Sequence, residues 1–184
     1  MKIEVISRDS MKKFFKRVED AEKLSESIDP FKLDEIAIIS INSYSGCPYL
    51  DDLTRMGVKL TERDLEPSPV PEKYHDRTLI LHFDDACPSE VKASGIEWKL
   101  FSEEQAKAIK VFAEKAFREN KRLIVHCTAG ISRSGAIGSV LNNYFNKVTE
   151  NNPDDYEWFW TCGCERQISP NPHVTSVLTK VLES

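Results

Sequence analysis

The stretch that most constrains how this chain can fold runs from Leu123 to Phe145. A short apolar segment, Leu123-Ile124-Val125, leads into His126-Cys127-Thr128-Ala129-Gly130-Ile131-Ser132-Arg133-Ser134, after which Ile137, Val140, Leu141, Tyr144 and Phe145 recur at helical spacing. The pattern reads as a strand, a tight loop and a helix. A helix N-terminus exposes backbone N–H groups without intrahelical partners and carries partial positive charge, so a loop placed there suits an anion, phosphate above all. Gly130 lets the loop curl, or lets another backbone approach, because it has no side chain in the way.

The loop side chains supply chemistry. Inward-pointing amides, a helix N-terminus and a guanidinium favour the thiolate of a cysteine, which makes Cys127 a nucleophile. Arg133 offers a planar fork of donors that matches two phosphoryl oxygens, a geometry lysine cannot copy. The Ser134 hydroxyl can donate to the sulfur and so ease its departure from a phosphocysteine. His126 is read as bracing the loop, and the backbone from Thr128 through Ala129, Gly130, Ile131 and Ser132 to Arg133 as the phosphate cradle. The bland alternative is a buried, inert thiol in a tight turn.

At these residues the sequence resembles the cysteine-based protein phosphatases, whose signature is His-Cys, five residues, then Arg and Ser or Thr. The form here, HCTAGISRS, looks most like the dual-specificity branch. The resemblance implies a single α/β domain with a central, mainly parallel sheet flanked by helices. It also implies phosphomonoester hydrolysis through a phosphocysteine, without a cofactor.

With 184 residues the chain suits one domain, read as spanning 1–184. Hydrophobic residues make up 40% and charged residues 30%, an ordinary globular balance. A formal net charge of −5 argues against nucleic acid as a main partner. No apolar run reaches membrane-spanning length and the opening lacks a secretory core, so a soluble cytoplasmic protein with no membrane partner is expected. Five cysteines without a secretory signal suggest free thiols. Cys162-Gly163-Cys164 lacks a second Cys/His pair at matching spacing, so no metal is expected there.

Along the chain, Ile3 and Val5 alternate as in a short strand, and Ser10 can cap a helix carrying Met11, Phe14, Phe15 and Val18. Ile36 to Ile41 reads as a strand covered on both faces, hence central. Asn42 to Gly46 has turn chemistry, and the segment from Cys47 to Gly57 can hold a short helix. Glu66-Pro67-Ser68-Pro69-Val70-Pro71 excludes helix and central strand and is read as a surface loop. Lys59, Arg63, Lys73 and Arg77 alternate with acids, as on a solvated face. Ser102 to Gln105 forms a capping-box pattern before a helix with Ile109, Phe112, Ala113, Ala116 and Phe117 on one side. Gly135 and Gly138 are expected where a helix lies close to the sheet. Asn142 to Cys164 departs from the resemblance and is read as an insertion, with an aromatic-rich helix from Asp154 to Trp160. Asn171 and Pro172 open a last helix with Val174, Val177, Leu178 and Val181.

The second informative stretch is Thr78 to Phe83, a strand, followed by Asp84-Asp85-Ala86-Cys87-Pro88. Displacing an alkoxide or phenolate from phosphorus is eased by an acid that protonates the leaving oxygen, and two aspartates at a strand end can supply one. In parallel sheets ligands gather at the carboxyl ends of the strands, which would bring this pair to Cys127. Phe-Asp-Asp-x-x-Pro resembles the acid loop of some small dual-specificity members, and that resemblance selects Asp85 over Asp84. Among the substrates the resemblance implies, highly charged inositol phosphates go with extra basic residues in the signature loop. The loop between Cys127 and Arg133 carries no lysine, so the resemblance points to a phosphorylated protein or peptide, phosphotyrosine first. Two other readings remain: a phosphopeptide-binding module without turnover, and rhodanese-like or arsenate-reducing cysteine chemistry.

Overall fold

The computed structural model describes residues 1–24, 32–43, 67–94, 98–146 and 168–184. Among them, β1 (Ile3–Ser7), β2 (Ile36–Asn42), β3 (Thr78–His82) and β4 (Arg122–Cys127) form one sheet in the order β1-β4-β2-β3, every pair parallel. The expectation of a mainly parallel sheet is met by one that is wholly parallel over the described strands. Among the described residues five α-helices accompany it: α1 (Arg8–Lys23), α2 (Pro88–Ser94), α3 (Glu103–Arg118), α4 (Arg133–Asn146) and α5 (Pro172–Glu183).

Side-chain alternation along the strands sorts the two faces. Ala37, Ile39, Ile41, Leu123, Val125 and Cys127 join a core with Ala106, Ile109, Ala113 and Ala116 of α3, Ile137 and Leu141 of α4, and Leu178 of α5. Ile36, Ile38 and Ile124 point the other way, onto Met11, Phe15 and Val18 of α1 and onto Val70 and Tyr74. All seven residues of β2 are buried, as a central strand covered on both faces requires. At about 1.5–3 kcal/mol for each fully buried large aliphatic side chain, this double layer is the main source of stability.

Several local expectations need correction. The cap of α1 is Ser7 and not Ser10: Ser7 is extended and its Oγ accepts from the Ser10 N–H at 3.2 Å, so β1 runs straight into the helix. The proline-rich segment is more than a surface loop, because Val70 is buried and Ser68 pairs with Ser40 at 2.8 Å. Its prolines give up ladder hydrogen bonds, but they still let the chain cover one sheet face. The helix α2 went unread because it is short. Its signal is Pro88 in the first turn, with Glu90 accepting from the Cys87 N–H at 2.6 Å. Gly135 approaches Ile168, not the sheet: a Cβ there would lie 3.3 Å from the Ile168 Cβ. Asn142 to Asn146 continue α4, and the rest of the segment read as an insertion, 147–164, lies outside the described residues.

The capping box of α3 is present, with Ser102 accepting from the Gln105 N–H and the Gln105 side chain accepting from the Ser102 N–H. Asn171 caps α5 and Pro172 fills its first turn. Lys73 pairs with Glu22, and Arg77 with Asp34 and Asp76, in keeping with a solvated charged face. Lys59, Arg63, the segment from Cys47 to Gly57, Asp154 to Trp160 and the Cys162 to Cys164 pair lie outside the described residues. Among the described residues no helix is long and apolar enough to cross a membrane.

Candidate active site

Cys127 is the last residue of β4 and Arg133 the first of α4, so the intervening loop sits at the carboxyl end of the sheet, against the N-terminus of a helix. Cys127 is 2% exposed. Its sulfur accepts from the Gly130 N–H at 3.3 Å and lies 3.1 Å from the Ser134 hydroxyl. Three carbonyls of the loop accept backbone N–H groups. Thr128 O accepts from Arg8 N–H, Ile131 O from Ser169 N–H, and Ser132 O from the N–H groups of Asn171 and Ala136. Peptide planarity then turns the N–H groups of Ala129, Ser132 and Arg133 the opposite way.

Gly130 satisfies both sequence-level reasons for a glycine. Its φ is +75°, in the left-handed region, and a Cβ on it would come within 2.6 Å of the Ile6 carbonyl carbon and the Ser7 nitrogen. The loop is thereby pressed onto the β1–α1 junction, where Ser7 stands beside Cys127 in the sheet register.

The Arg133 side chain is 4% exposed and held from three sides. Nη1 donates to Ser43 Oγ at 2.7 Å and to Phe83 O at 2.9 Å, and Nη2 donates to Thr128 Oγ1 at 3.1 Å. These acceptors come from the ends of β2 and β3 and from the loop itself. Nε is buried with no hydrogen-bond partner among the described residues. An unmade bond from a buried guanidinium is costly, so a donor left in this condition favours an incoming acceptor.

The two aspartates after β3 behave differently. Asp84 is buried and bridges to Lys99, in the segment before α3: its N–H donates to Lys99 O at 2.7 Å, and its Oδ2 accepts from Lys99 N–H at 2.9 Å. Asp85 is exposed, and its Oδ1 accepts from the Ser132 hydroxyl and from the Asn171 side-chain amide, each at 2.8 Å. Of the two, Asp85 is the one whose carboxylate hydrogen-bonds to the cysteine loop among the described residues. The Ser132 side chain is thus engaged by this carboxylate.

His126 precedes Cys127 in β4 and so faces the opposite side of the sheet. It is fully buried, and neither ring nitrogen has a hydrogen-bond partner among the described residues. Burial first, then the charge of Arg8, pushes its pKa down to about 3. The charge of Arg133 adds to this and the Cys127 backbone opposes it. The ring is neutral in the folded protein, while an unfolded histidine titrates near 6.5. Between those values the unfolded chain binds more protons, so this contribution to stability is intact above pH 6.5 and is lost as pH falls toward 3, about 2 kcal/mol by pH 5. The urea midpoint should therefore drop between pH 7 and pH 5, and it should drop by less in His126→Asn. Parallel shifts in both proteins would contradict this account.

Arg8, Asn42 and Ser43 were not singled out by sequence as site residues. The Arg8 side chain is buried, donating through Nη1 to Asn42 Oδ1 at 3.0 Å and through Nη2 to Pro67 O. The available signal was position: Asn42 ends β2 and Ser43 follows it, at the same sheet end as Cys127. Among the described residues no group of three or more His, Cys, Asp or Glu side chains is placed to hold a metal ion.

No protein-family model matches the sequence, and no curated protein does either. Among solved structures, the chain is similar to human tyrosine phosphatase-like serine/threonine/tyrosine-interacting protein. That likeness has 18% identity and a TM-score of 0.44, and covers 83% of this chain and 80% of that one. It is also similar to Tk-PTP in the active form, at 16% identity and a TM-score of 0.43, over 82% of this chain and 81% of that one.

Proposed function

We propose that this chain is a cysteine-dependent phosphomonoester hydrolase of the dual-specificity phosphatase kind, acting on phosphotyrosine in a protein or peptide. Phosphoserine and phosphothreonine are the next substrates to consider. The observation that carries the reading is a buried sulfur, met by the Gly130 N–H and the Ser134 hydroxyl, in a loop whose buried arginine keeps one N–H unpaired.

In the first step Cys127 Sγ bonds to phosphorus as the ester P–O bond breaks, and Asp85 gives its proton to the departing oxygen. In the second, Asp85 takes a proton from water, the water oxygen bonds to phosphorus and the S–P bond breaks. Ser134 stabilises the leaving thiolate. Arg133 and the amides from Thr128 to Arg133 hold the equatorial oxygens in both steps, the electrostatic contribution that commonly dominates such catalysis. No metal or cofactor takes part. Sulfur-transfer and arsenate chemistry would leave Asp85 without a role, although it is the carboxylate bonded to this loop.

The test is hydrolysis of a phosphotyrosine peptide by the purified chain. Turnover that vanadate blocks and a chelator leaves unchanged is expected. A chain that binds the peptide without releasing phosphate would instead be a recognition module.

A further inference from the structure

Asn171 does more than open the last helix. Its Oδ1 accepts from the N–H groups of His173 at 3.0 Å and Val174 at 3.1 Å, and lies 3.8 Å from the Cys87 sulfur. The amide cannot be turned over, because Nδ2 would then face two N–H donors and Oδ1 would face a carboxylate. Nδ2 is thus fixed toward Asp85, which it reaches at 2.8 Å. The backbone N–H of Asn171 meanwhile donates to Ser132 O at 3.3 Å, and the Ser132 hydroxyl donates to the same Asp85 oxygen. Asn171 itself is buried, so its side chain is held in place by the packing around the start of α5. One residue therefore joins the start of α5, the cysteine loop and the loop bearing Asp85.

We infer that Asn171 is the positioning residue of the general acid: with Ser132 it holds Asp85 by Oδ1, so that Oδ2 is the oxygen that gives and regains the proton. This rests on the phosphatase reading above. Two donors on Oδ1 occupy its lone pairs and leave no room for a proton there. In the first step the Oδ2–H bond breaks and the proton passes to the ester oxygen as it leaves phosphorus. In the second, Oδ2 receives a proton from the attacking water. Fixing one carboxylate oxygen removes rotation about the side chain from the approach to the transition state, the contribution expected of a positioning group. Since the same residue caps α5, the acid is referenced to rigid secondary structure and not to its own exposed loop.

The experiment compares phenyl phosphate, a poor leaving group, with p-nitrophenyl phosphate, a good one, for the parent chain, Asn171→Ser and Ser132→Ala. Serine keeps a cap acceptor for α5 but is too short to reach Asp85. Turnover of phenyl phosphate should fall roughly tenfold further than that of p-nitrophenyl phosphate in Asn171→Ser, with vanadate inhibition within about threefold of the parent. In an Asp85→Asn background the same substitution should add less than about twofold. Ser132→Ala should show the same dependence on the leaving group, and it leaves the α5 cap intact. Equal losses on both esters, or a full additional loss in the Asp85→Asn background, would overturn the inference while leaving the hydrolase reading in place. A parent chain that hydrolyses neither ester would remove both.

Discussion

Cys127→Ser is expected to reduce hydrolysis of p-nitrophenyl phosphate by on the order of a hundred-thousand-fold, while tungstate still binds within a few-fold of the parent affinity. The substitution keeps the shape of the site. A serine oxygen in the place of Sγ still finds the Gly130 N–H and the Ser134 hydroxyl, and the clamp of Arg133 by Ser43, Phe83 and Thr128 does not involve the sulfur. The nucleophile is what disappears. An alcohol needs a general base, and the adjacent histidine cannot serve as one, since the alternation of β4 sends His126 to the opposite face of the sheet, buried away from the loop. Steady-state turnover and tungstate binding measured on the same preparation decide the matter. A serine variant that retained substantial turnover would mean that the sulfur is not the attacking atom.

Asp85→Asn is expected to lower turnover of phenyl phosphate by about a hundredfold or more, and that of p-nitrophenyl phosphate by less. The asparagine can still accept from Ser132 and Asn171 through its oxygen, so the loop stays in place and only the transferable proton is lost. Asp84→Asn is the counterpart. There the carboxylate accepts a backbone N–H from Lys99, a bond the amide oxygen can keep. The expected result is turnover within a few-fold of the parent and a stability loss of about 1 kcal/mol, read from the urea midpoint. A larger loss of phenyl phosphate turnover in Asp84→Asn than in Asp85→Asn would move the acid role to the buried aspartate.

The strands and helices that build the site were visible in local pattern. Alternation in Ile3 and Val5, the apolar run through β2, the capping box at Ser102 and the Asn171-Pro172 start of α5 each depend on near neighbours in the chain, where hydrogen-bond geometry and side-chain period leave their mark. Elements whose signal is faint locally were missed or displaced. Two serines three residues apart can each cap α1, and only the extended backbone of Ser7 decides between them. The short α2 carries too few turns to show a period.

The placement of Gly130 separates what each level holds. From sequence its role is permissive, allowing either a curled loop or a close approach. In the fold both occur at once, because β1 is paired beside β4 and brings the Ile6–Ser7 backbone against the loop. Asn171 was likewise readable as a helix cap, but its second bond, to Asp85, spans 86 residues and has no local trace.

By itself the chain determined a strand-loop-helix unit with a cysteine and an arginine six residues apart, and a carboxylate pair ending another strand, since spacing and residue type are enough to specify such units. Tertiary structure decided that Asp85 and not Asp84 meets the cysteine loop, that Ser43 and Phe83 O grip Arg133, and that His126 lies buried on the far face. Those outcomes follow from which strands lie side by side and which helix covers which face. They are set by packing between distant segments, which no short window of sequence contains.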